Sequence, residues 1–426
     1  MAALGWVRGG LALLAFTGIL AMADIPPARS QILIGAEALI DDGYAALAGK
    51  RVGLIANQTT RVVGGEHLAD LLARAPGVKL TAILAPEHGF RGQVEAGAKV
   101  GDAVDAKTGV PVLSLYGKTR KPTPAMLRDV DVLVFDIQDI GTRYYTYIST
   151  MGLAMQAAAV AGIPFVVLDR PNPLGGTYVS GFVREPTLTS FVGQYPIPIV
   201  HGLTVGELAR MIKGEQWLKG LGRLDLKVVQ MQGWRRSMRW PELKRPWVAT
   251  SPNIPSFEAA LVYPGVGFVG EGFNLNEGRG TPTPFSLFGA PWLPGAEVAR
   301  RLNTAELIGV RFAPETYTPV SIPGVALKPG FMGQALHGVR IVVTDVDRFE
   351  PLESGMHVLA TVFAEARAKG VSTPGPYRRM FHLLAGTRRL QRMLIAGRTA
   401  PEIIAAWQGE VARFKERRGP YLLYGE

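Results

Sequence analysis

Four groups of polar residues each follow a short apolar run in the first half of the chain. They are Asn57, then Glu87-His88 with Arg91, then Asp136 with Asp139 and Arg143, and finally Asp169-Arg170 with Asn172. Carboxyl, imidazole, amide and guanidinium groups together can transfer protons and bind the hydroxyl groups or charges of a polar ligand. These groups are therefore the first candidates for an active site.

Glu87 is the strongest single candidate for catalysis. It follows Pro86 at the end of the apolar run 80–85, next to His88 and four residues before Arg91. Partial burial there favours the protonated form of a carboxylic acid, which a general acid must hold before it donates its proton. The alternative is a structural pair between Glu87 and Arg91.

Two further segments carry clusters of the same residue types. The first is 136–147, where the acids are followed by Arg143 and three tyrosines, which suit either a sugar ring or a domain interface. The second is the Gly-rich stretch 271–281, which is too polar for a core and contains Asn274, Glu277 and Arg279. Two residues outside these segments, His201 and Asn253, are possible ligand contacts. Thr204 and Glu207 after His201 form a capping box, which explains both without any function.

The apolar runs alternate with helical stretches, which predicts an α/β protein with a parallel sheet. We expect strands at 51–56, 80–85, 111–115, 131–135 and 163–168, with helices at 66–74 and 145–161. The carboxyl ends of parallel strands share one edge, so the four polar groups should converge there. The Gly- and Pro-rich region 175–290 is expected to form loops that build the site.

Several classes of site are not indicated. The loop after the first predicted strand has no G-x-G-x-x-G or G-K-[ST] pattern, and the chain has no H-E-x-x-H spacing, no G-x-S-x-G and no cysteine. We therefore expect no nucleotide, no metal, no serine or thiolate nucleophile, and no cofactor. A basic stretch interleaved with aromatic residues is also missing, so a nucleic-acid partner is not expected.

The N-terminus resembles a secretory signal peptide over residues 1–23. Arg8 precedes the apolar run 11–20, and Ala21-Met22-Ala23 supplies a cleavage site. An uncleaved anchor is the alternative; no later segment is apolar enough to span a membrane. The protein should therefore be periplasmic or secreted. Its formal charge of +11 suits acidic polymers, or is simply a generally basic surface.

Several motifs together resemble the exo-β-N-acetylmuramidase family of glycoside hydrolases. They occur in order from about residue 50 to Tyr421-Leu-Leu-Tyr424, and each would be weak evidence alone. They are Ala85-Pro-Glu-His-Gly-Phe-Arg-Gly92, Phe135-Asp-Ile-Gln-Asp-Ile-Gly-Thr-Arg-Tyr-Tyr-Thr-Tyr147, Leu168-Asp-Arg-Pro-Asn-Pro-Leu-Gly-Gly176, His201-Gly-Leu-Thr-Val-Gly-Glu-Leu-Ala209, Ser251-Pro-Asn-Ile-Pro255 and Glu277-Gly-Arg-Gly-Thr281.

The resemblance implies a Rossmann-like catalytic domain, expected at 31–257, and a smaller α/β domain, expected at 258–426, that closes a cleft. It also implies release of N-acetylmuramic acid from non-reducing ends of peptidoglycan fragments during cell-wall turnover, with Glu87 as the catalytic glutamate. One departure is visible. Where the family pattern reads E-G-T-N-x-S-E-G-R-G, this chain has Phe273 and Asn276 in place of Thr and Ser.

A glycosidic bond is usually flanked by two carboxyl groups, and Glu277 and Asp136 are the candidates for the partner of Glu87. Assistance by the substrate acetamido group, oriented by Asp136 or Asp139, is also open. The lactyl carboxylate calls for an arginine, which Arg143, Arg170 or Arg279 could supply. The rival interpretation is a muropeptide-binding protein without catalytic activity.

Overall fold

The computed structural model describes residues 1–2, 5, 32–91, 102–272, 274–371 and 378–426. The predicted signal peptide at 1–23 lies almost entirely outside these residues, and Phe273 lies outside them as well. Residues 32–426 form one compact unit. Within the described ranges, no helix is both long enough and apolar enough to cross a bilayer.

Ten strands are assigned among the described residues. They are β1 (Arg51–Ala56), β2 (Lys79–Ala85), β3 (Ala103–Val104), β4 (Pro111–Ser114), β5 (Val132–Asp136), β6 (Phe165–Leu168), β7 (Leu226–Val229), β8 (Leu287–Ala290), β9 (Val310–Tyr317) and β10 (Leu336–Val343). The first seven form one sheet in the order β3-β4-β2-β1-β5-β6-β7, and the last three form a second sheet in the order β8-β10-β9.

The helices surround these two sheets. They are α1 (Gly35–Asp41), α2 (Leu68–Arg74), α3 (Tyr147–Ala161), α4 (Val205–Gly214), α5 (Phe257–Gly272), α6 (Gly295–Asn303), α7 (Pro351–Ala368), α8 (Arg378–Ala385), α9 (Arg389–Ile395), α10 (Ala400–Ala405) and α11 (Gln408–Arg418). Short 3₁₀ turns occur at Ala45–Leu47, Pro186–Leu188, Leu221–Arg223, Trp240–Leu243 and Gly419–Tyr421.

The large sheet is parallel except where β3 pairs antiparallel with β4. The order of its parallel strands, β4-β2-β1-β5-β6-β7, is the 3-2-1-4-5-6 order of doubly wound folds. Strands after β1 are first added on one side of it and then, from β5 onward, on the other side. Ligands of such folds bind where the strand order reverses in this way. The predicted α/β class with a Rossmann-like sheet is confirmed.

Apolar residues on both faces of the large sheet explain why helices cover both. Val132 and Val134 of β5 pack into the core cluster under α1 and α2, while Leu133 and Phe135 pack into the cluster that contains α3 and α4. Side chains alternate across a strand, so a strand that is apolar at every position must be buried on both sides. The polar residues are consequently displaced to the ends of the strands.

The smaller sheet is antiparallel, and β10 is its central strand. Helices α5 and α7 cross closely beside it, since Gly265 and Gly355 pack against each other: a Cβ built on Gly355 would lie 2.3 Å from the Gly265 Cα. The second, smaller domain predicted from the sequence is thus present as a sheet with helices. Its predicted boundary at residue 258 stays a prediction.

The expectation that Tyr263–Gly267 forms a loop is wrong. These residues lie within α5, which contains Pro264. The helix carries a run of buried apolar side chains, including Leu261, Val262, Val266 and Phe268. Tertiary packing of that apolar surface therefore outweighs the local cost of one proline.

Candidate functional site

A cavity of about 210 Å³ lies beside the carboxyl end of β2. Its wall is formed by segments that are distant in sequence, from the loop after β2 to helix α8. The lining residues are Glu87, His88, Tyr144, Tyr145, Thr146, Tyr147, Val192, Ser251, Asn253, Ile254, Tyr263, Gly267, Glu277, Arg279, Phe285, Met380 and Leu384. The volume is below the ~300–1,000 Å³ of sites for drug-sized ligands, which indicates a small ligand.

Glu87 is placed on the wall by a tight turn at the end of β2. His88 has a φ of 71° and Gly89 one of 76°, so the backbone turns sharply after the glutamate. The Gly89 amide donates to the Pro86 carbonyl at 3.1 Å, which closes the turn. Left-handed backbone at a non-glycine residue is uncommon and is concentrated at functional sites. The turn leaves Glu87 half-buried while His88 is buried.

The carboxylate of Glu87 contacts a hydroxyl group on the next wall segment. The Thr146 Oγ1 donates to Glu87 Oε2 at 3.3 Å. The structure does not support the alternative role for Glu87, a structural pair with Arg91, because Arg91 has other partners. Arg91 pairs with Asp105 at 2.9 Å and with Asp70 at 3.4 Å.

Glu277 and Arg279 face the same cavity from the Gly-rich turn. The Arg279 Nη1 lies 3.2 Å from Glu277 Oε1, and the guanidinium lies 5.4 Å from the centre of the Phe285 ring. Glu277 packs directly on α5, because a Cβ built on Gly270 would lie 1.9 Å from Glu277 Oε2. The structure thus brings a second carboxylate and a cation to the cavity.

Asn276, one of the two departures from the family pattern, shapes this turn. Its Nδ2 donates to the carbonyls of Arg279 at 3.1 Å and Gly330 at 3.0 Å, and its Oδ1 accepts from the Gly278 amide at 2.8 Å. A serine is too short to make all three contacts. The substitution therefore acts on the conformation of the turn that presents Glu277.

Aromatic rings form much of the remaining wall. Tyr145 donates to Thr250 Oγ1 at 2.8 Å, and Tyr147 donates to the Thr250 carbonyl at 2.7 Å. Tyr144 donates to the carbonyl of Pro264 at 2.8 Å. Burial raises the pKa of all three phenols, so they remain neutral donors. The rings consequently offer apolar faces on which a sugar can stack.

Asn253 also lines the cavity, and its Nδ2 donates to the Val325 carbonyl at 2.9 Å. Five of the predicted site residues are therefore brought together on one wall: Glu87, His88, Asn253, Glu277 and Arg279.

Asp136 and Arg170 are placed elsewhere, in an ion pair with each other. The Arg170 Nε and Nη2 donate to the two carboxylate oxygens of Asp136 at 2.5 Å and 2.9 Å. Both side chains are buried at the carboxyl ends of β5 and β6. Since this pair occupies both oxygens of Asp136, Glu277 becomes the stronger candidate for the partner of Glu87.

Asp139, Asn172 and His201 form a buried polar group near that pair. Asp139 Oδ2 accepts from the Gly141 amide at 2.7 Å and lies 3.9 Å from His201 Nε2. Burial raises the pKa of Asp139 to about 7 and lowers the pKa of His201 to about 3. Asn172 donates to the Leu203 carbonyl at 3.0 Å. These buried residues hold neighbouring loops together.

The side chains of Asn57 and Arg143 are likewise hydrogen-bonded to backbone groups of the protein. Asn57 Oδ1 accepts from the backbone amide of Thr59 at 2.9 Å, in the loop after β1. Arg143 is fully buried and donates to the carbonyls of Phe182, Ile197 and Leu384 at 2.7–2.8 Å. Through Leu384 it fixes α8, which carries part of the cavity wall.

Asn274 is exposed, and its carbonyl accepts from the Trp292 indole at 3.0 Å. The predicted capping box after His201 is confirmed, since Thr204 Oγ1 accepts from the Glu207 amide at 3.2 Å. Within the described part of the chain, no group of three His, Asp or Glu residues could hold a metal ion.

Sequence reasoning missed most of the apolar wall. The sequence offers two roles for the tyrosines of segment 144–147, which are contact with a sugar ring and packing in a domain interface. Tyr263 and Phe285 carried no signal beyond their aromatic character, and Met380 and Leu384 carried none. The arrangement as a whole, two carboxylates and a cation beside aromatic rings, is suited to acid–base cleavage of a sugar derivative.

Comparisons with known proteins agree with this chemistry. The family model for exo-β-N-acetylmuramidase NamZ, N-terminal, matches residues 52–258, and the C-terminal model matches 261–424. The chain is 42% identical over 420 residues to a peptidoglycan β-N-acetylmuramidase NamZ from Bacillus subtilis (strain 168), covering 97% of both chains.

Two crystal structures from Bacteroides fragilis NCTC 9343, both of DUF1343 family proteins, have the same fold. One superposes with a TM-score of 0.85 at 39% identity, covering 93% of this chain and all of the other. The second has a TM-score of 0.75 at 34% identity, covering 93% of this chain and 99% of the other. The chain therefore belongs to the exo-β-N-acetylmuramidase NamZ family.

Proposed function

We propose that the protein is a glycoside hydrolase that releases N-acetylmuramic acid from the non-reducing ends of peptidoglycan fragments. The observation that carries the proposal is the pair Glu87 and Glu277 on the wall of one cavity, with Arg279 beside Glu277. The cavity is smaller than sites for drug-sized ligands, which is consistent with a small ligand such as one terminal sugar residue. Membership of the NamZ family supports the same reaction.

In this mechanism Glu87 protonates the oxygen of the leaving sugar as the glycosidic bond breaks. Positive charge then develops on the ring carbon, and a nearby carboxylate stabilises that charge or assists the nucleophile. Glu277 is positioned for this second role, because it lines the same cavity from a segment that is distant in sequence. After cleavage, Glu87 can accept a proton from water and return to its starting state.

We further propose that Arg279 binds the lactyl carboxylate that distinguishes N-acetylmuramic acid from N-acetylglucosamine. Of the three arginines proposed from the sequence, Arg279 lines the cavity, whereas Arg143 is bonded to backbone carbonyls and Arg170 to Asp136. A guanidinium can pair with two carboxylates at once, so its contact with Glu277 is compatible with this role.

Export to the periplasm or the medium is part of the proposal, because the substrate is located there. It rests on the N-terminal sequence, with Arg8 before an apolar run that ends at Ala21-Met22-Ala23. Mass spectrometry of the protein recovered from its native compartment should find a chain that begins near Asp24. A chain that still begins at Met1 in the membrane fraction would contradict export as a cleaved protein.

The enzymatic proposal is tested with a chromogenic β-N-acetylmuramide. The wild-type protein should release the chromophore, and Glu87→Gln should lower kcat by about 10²-fold or more, the usual contribution of general acid–base catalysis. The matched control is Glu416→Gln, because Glu416 is an exposed carboxylate on α11. Failure of the folded wild-type protein to release the chromophore would favour a binding protein; near-normal turnover by Glu87→Gln would remove Glu87 from the mechanism.

A further inference from the structure

We propose that Tyr116 is a positioning residue that orients the Glu87 carboxylate and stabilises its charged form after proton transfer. The inference rests on the role of Glu87 in the proposed function. Tyr116 lies two residues after the end of β4, which is the strand next to β2. No motif or comparison assigns it a role.

The pairing of the strands brings the two residues together. Strands β2 and β4 are parallel, with Ala85 opposite Ser114, and the Leu115 amide donates to the Ala85 carbonyl at 2.7 Å. Glu87 and Tyr116 each lie two residues beyond that pair of partners. Neighbouring strands are about 4.8 Å apart, so side chains at equivalent positions on their ends are adjacent.

The Tyr116 phenol lies within hydrogen-bonding reach of the Glu87 side chain. Burial, the charge of Glu87 and this hydrogen bond together raise the pKa of Tyr116 to about 12. The phenol is therefore protonated at neutral pH and donates to the carboxylate. Together with the Thr146 hydroxyl, it gives Glu87 two donors from two different segments of chain.

Tyr116 is itself held in place from two sides. The Ser114 Oγ accepts from the Tyr116 amide at 3.1 Å and donates to the Tyr116 carbonyl at 2.9 Å, which fixes the backbone. The Arg120 guanidinium lies 5.7 Å from the centre of the Tyr116 ring and 4.2 Å from that of Phe191. A side chain restrained in this way can define the direction of the carboxylate it contacts.

Among the described residues, other titratable or charged groups line the same cavity as Glu87, where a sugar can reach them. They are His88 on the same turn, Tyr147 at the start of α3, and Glu277 with Arg279 on the Gly-rich turn. The described wall residues include Glu87 and Thr146 but not Tyr116. Removing the Tyr116 hydroxyl therefore perturbs Glu87 without removing a contact to the substrate.

The test is Tyr116→Phe in the otherwise unaltered protein, assayed on the chromogenic muramide across pH. Loss of a donor to a charged group should move the limb of the pH–kcat profile that reports Glu87 upward by about one to two pH units. Loss of orientation should also lower kcat at the wild-type optimum about 10- to 100-fold. KM should stay close to the wild-type value.

The matched control is Tyr421→Phe. Tyr421 also hydrogen-bonds a glutamate, Glu215, at 3.2 Å, but the pair connects the C-terminal turn to the end of α4. This variant should keep the wild-type pH profile and kcat. A general effect of removing a tyrosine hydroxyl from a carboxylate would instead appear in both variants.

The outcomes separate this inference from the proposed function. An unshifted pH profile in a folded Tyr116→Phe protein would overturn the positioning role, even if Glu87→Gln were inactive. A fall in kcat without any shift of the limb would show a merely structural role and would overturn it too. Absence of muramidase activity in the wild-type protein would instead contradict the proposed function.

Discussion

Replacement of Asp136 by asparagine tests whether this acid serves stability or catalysis. The side chain is fully buried, and both of its oxygens accept from Arg170, which is itself 5% exposed. Asp136→Asn keeps the shape of the side chain and one acceptor oxygen but removes the negative charge. The guanidinium of Arg170 is then left buried without its counter-ion.

The cost follows from that burial. Breaking a buried ion pair by removing one partner typically destabilises a protein by about 3–5 kcal/mol, because the remaining charge cannot be solvated. A domain is stable by only about 5–15 kcal/mol, so the midpoint of urea unfolding should fall strongly. Turnover per folded molecule should stay close to wild type, because Asp136 is not among the described residues that line the cavity.

Urea titration followed by tryptophan fluorescence measures the stability, and the chromogenic assay below the unfolding midpoint measures the activity. The control is Asp131→Asn, because Asp131 pairs with Arg51 at 2.8 Å on the same sheet with both side chains about two-fifths exposed. Solvent screens that pair, so its loss should change the midpoint little.

A second variant isolates the charge. Arg170→Met combined with Asp136→Asn should recover part of the lost stability, because no unpaired charge remains. If Asp136→Asn unfolds at the wild-type midpoint but loses as much activity as Glu87→Gln, the structural interpretation is refuted. Asp136 would then act on the substrate.

Three other predictions follow from single contacts. Arg279→Ala should lower kcat/KM for a muramyl substrate about 10- to 150-fold, the cost of a charge-assisted hydrogen bond, while a glucosaminyl analogue is affected little; equal losses on both would contradict the assignment. Gly265→Ala should destabilise the fold by about 1–3 kcal/mol in urea, because its Cβ would lie 2.2 Å from the Pro351 carbonyl oxygen; an unchanged midpoint would show that α5 and α7 can separate. Burial lowers the pKa of His67 from 6.5 to about 4. The stability contributed by the neutral imidazole is therefore fully present above pH 6.5 and is lost as the pH falls toward 4. His67→Asn keeps an acceptor for the Ala69 amide, so unfolding free energies across that window should fall less in the variant than in wild type; parallel curves would disprove the linkage.

The sequence by itself predicted the large sheet and the edge at which the site is built. Strand β1 occupies residues 51–56 as expected, and the helix predicted at 145–161 is present as α3 at 147–161. Runs of apolar residues short enough for a strand and separated by helices have few other solutions. The position of Glu87 followed, because a polar residue directly after a buried strand must lie at its carboxyl end.

The tertiary structure alone separates the two acids proposed as the partner of Glu87. Asp136 and Glu277 both stand in polar motifs, and nothing local separates them. Arg170 reaches Asp136 from 34 residues away along the chain, whereas Glu277 is directed into the cavity by its packing on α5. An ion pair between residues on different strands depends on how those strands are aligned, which local patterns do not encode.

The wall of the cavity shows the same limit. Tyr263 lies on a helix that local signals assigned to a loop, because Pro264 and its neighbouring glycines favour turns. Met380 on α8 contributes from the far end of the chain. Their direction toward the cavity is determined by burial of apolar surface against partners hundreds of residues away. A sequence pattern reports which residues prefer to be buried, and only the packed fold determines which of them meet around a ligand.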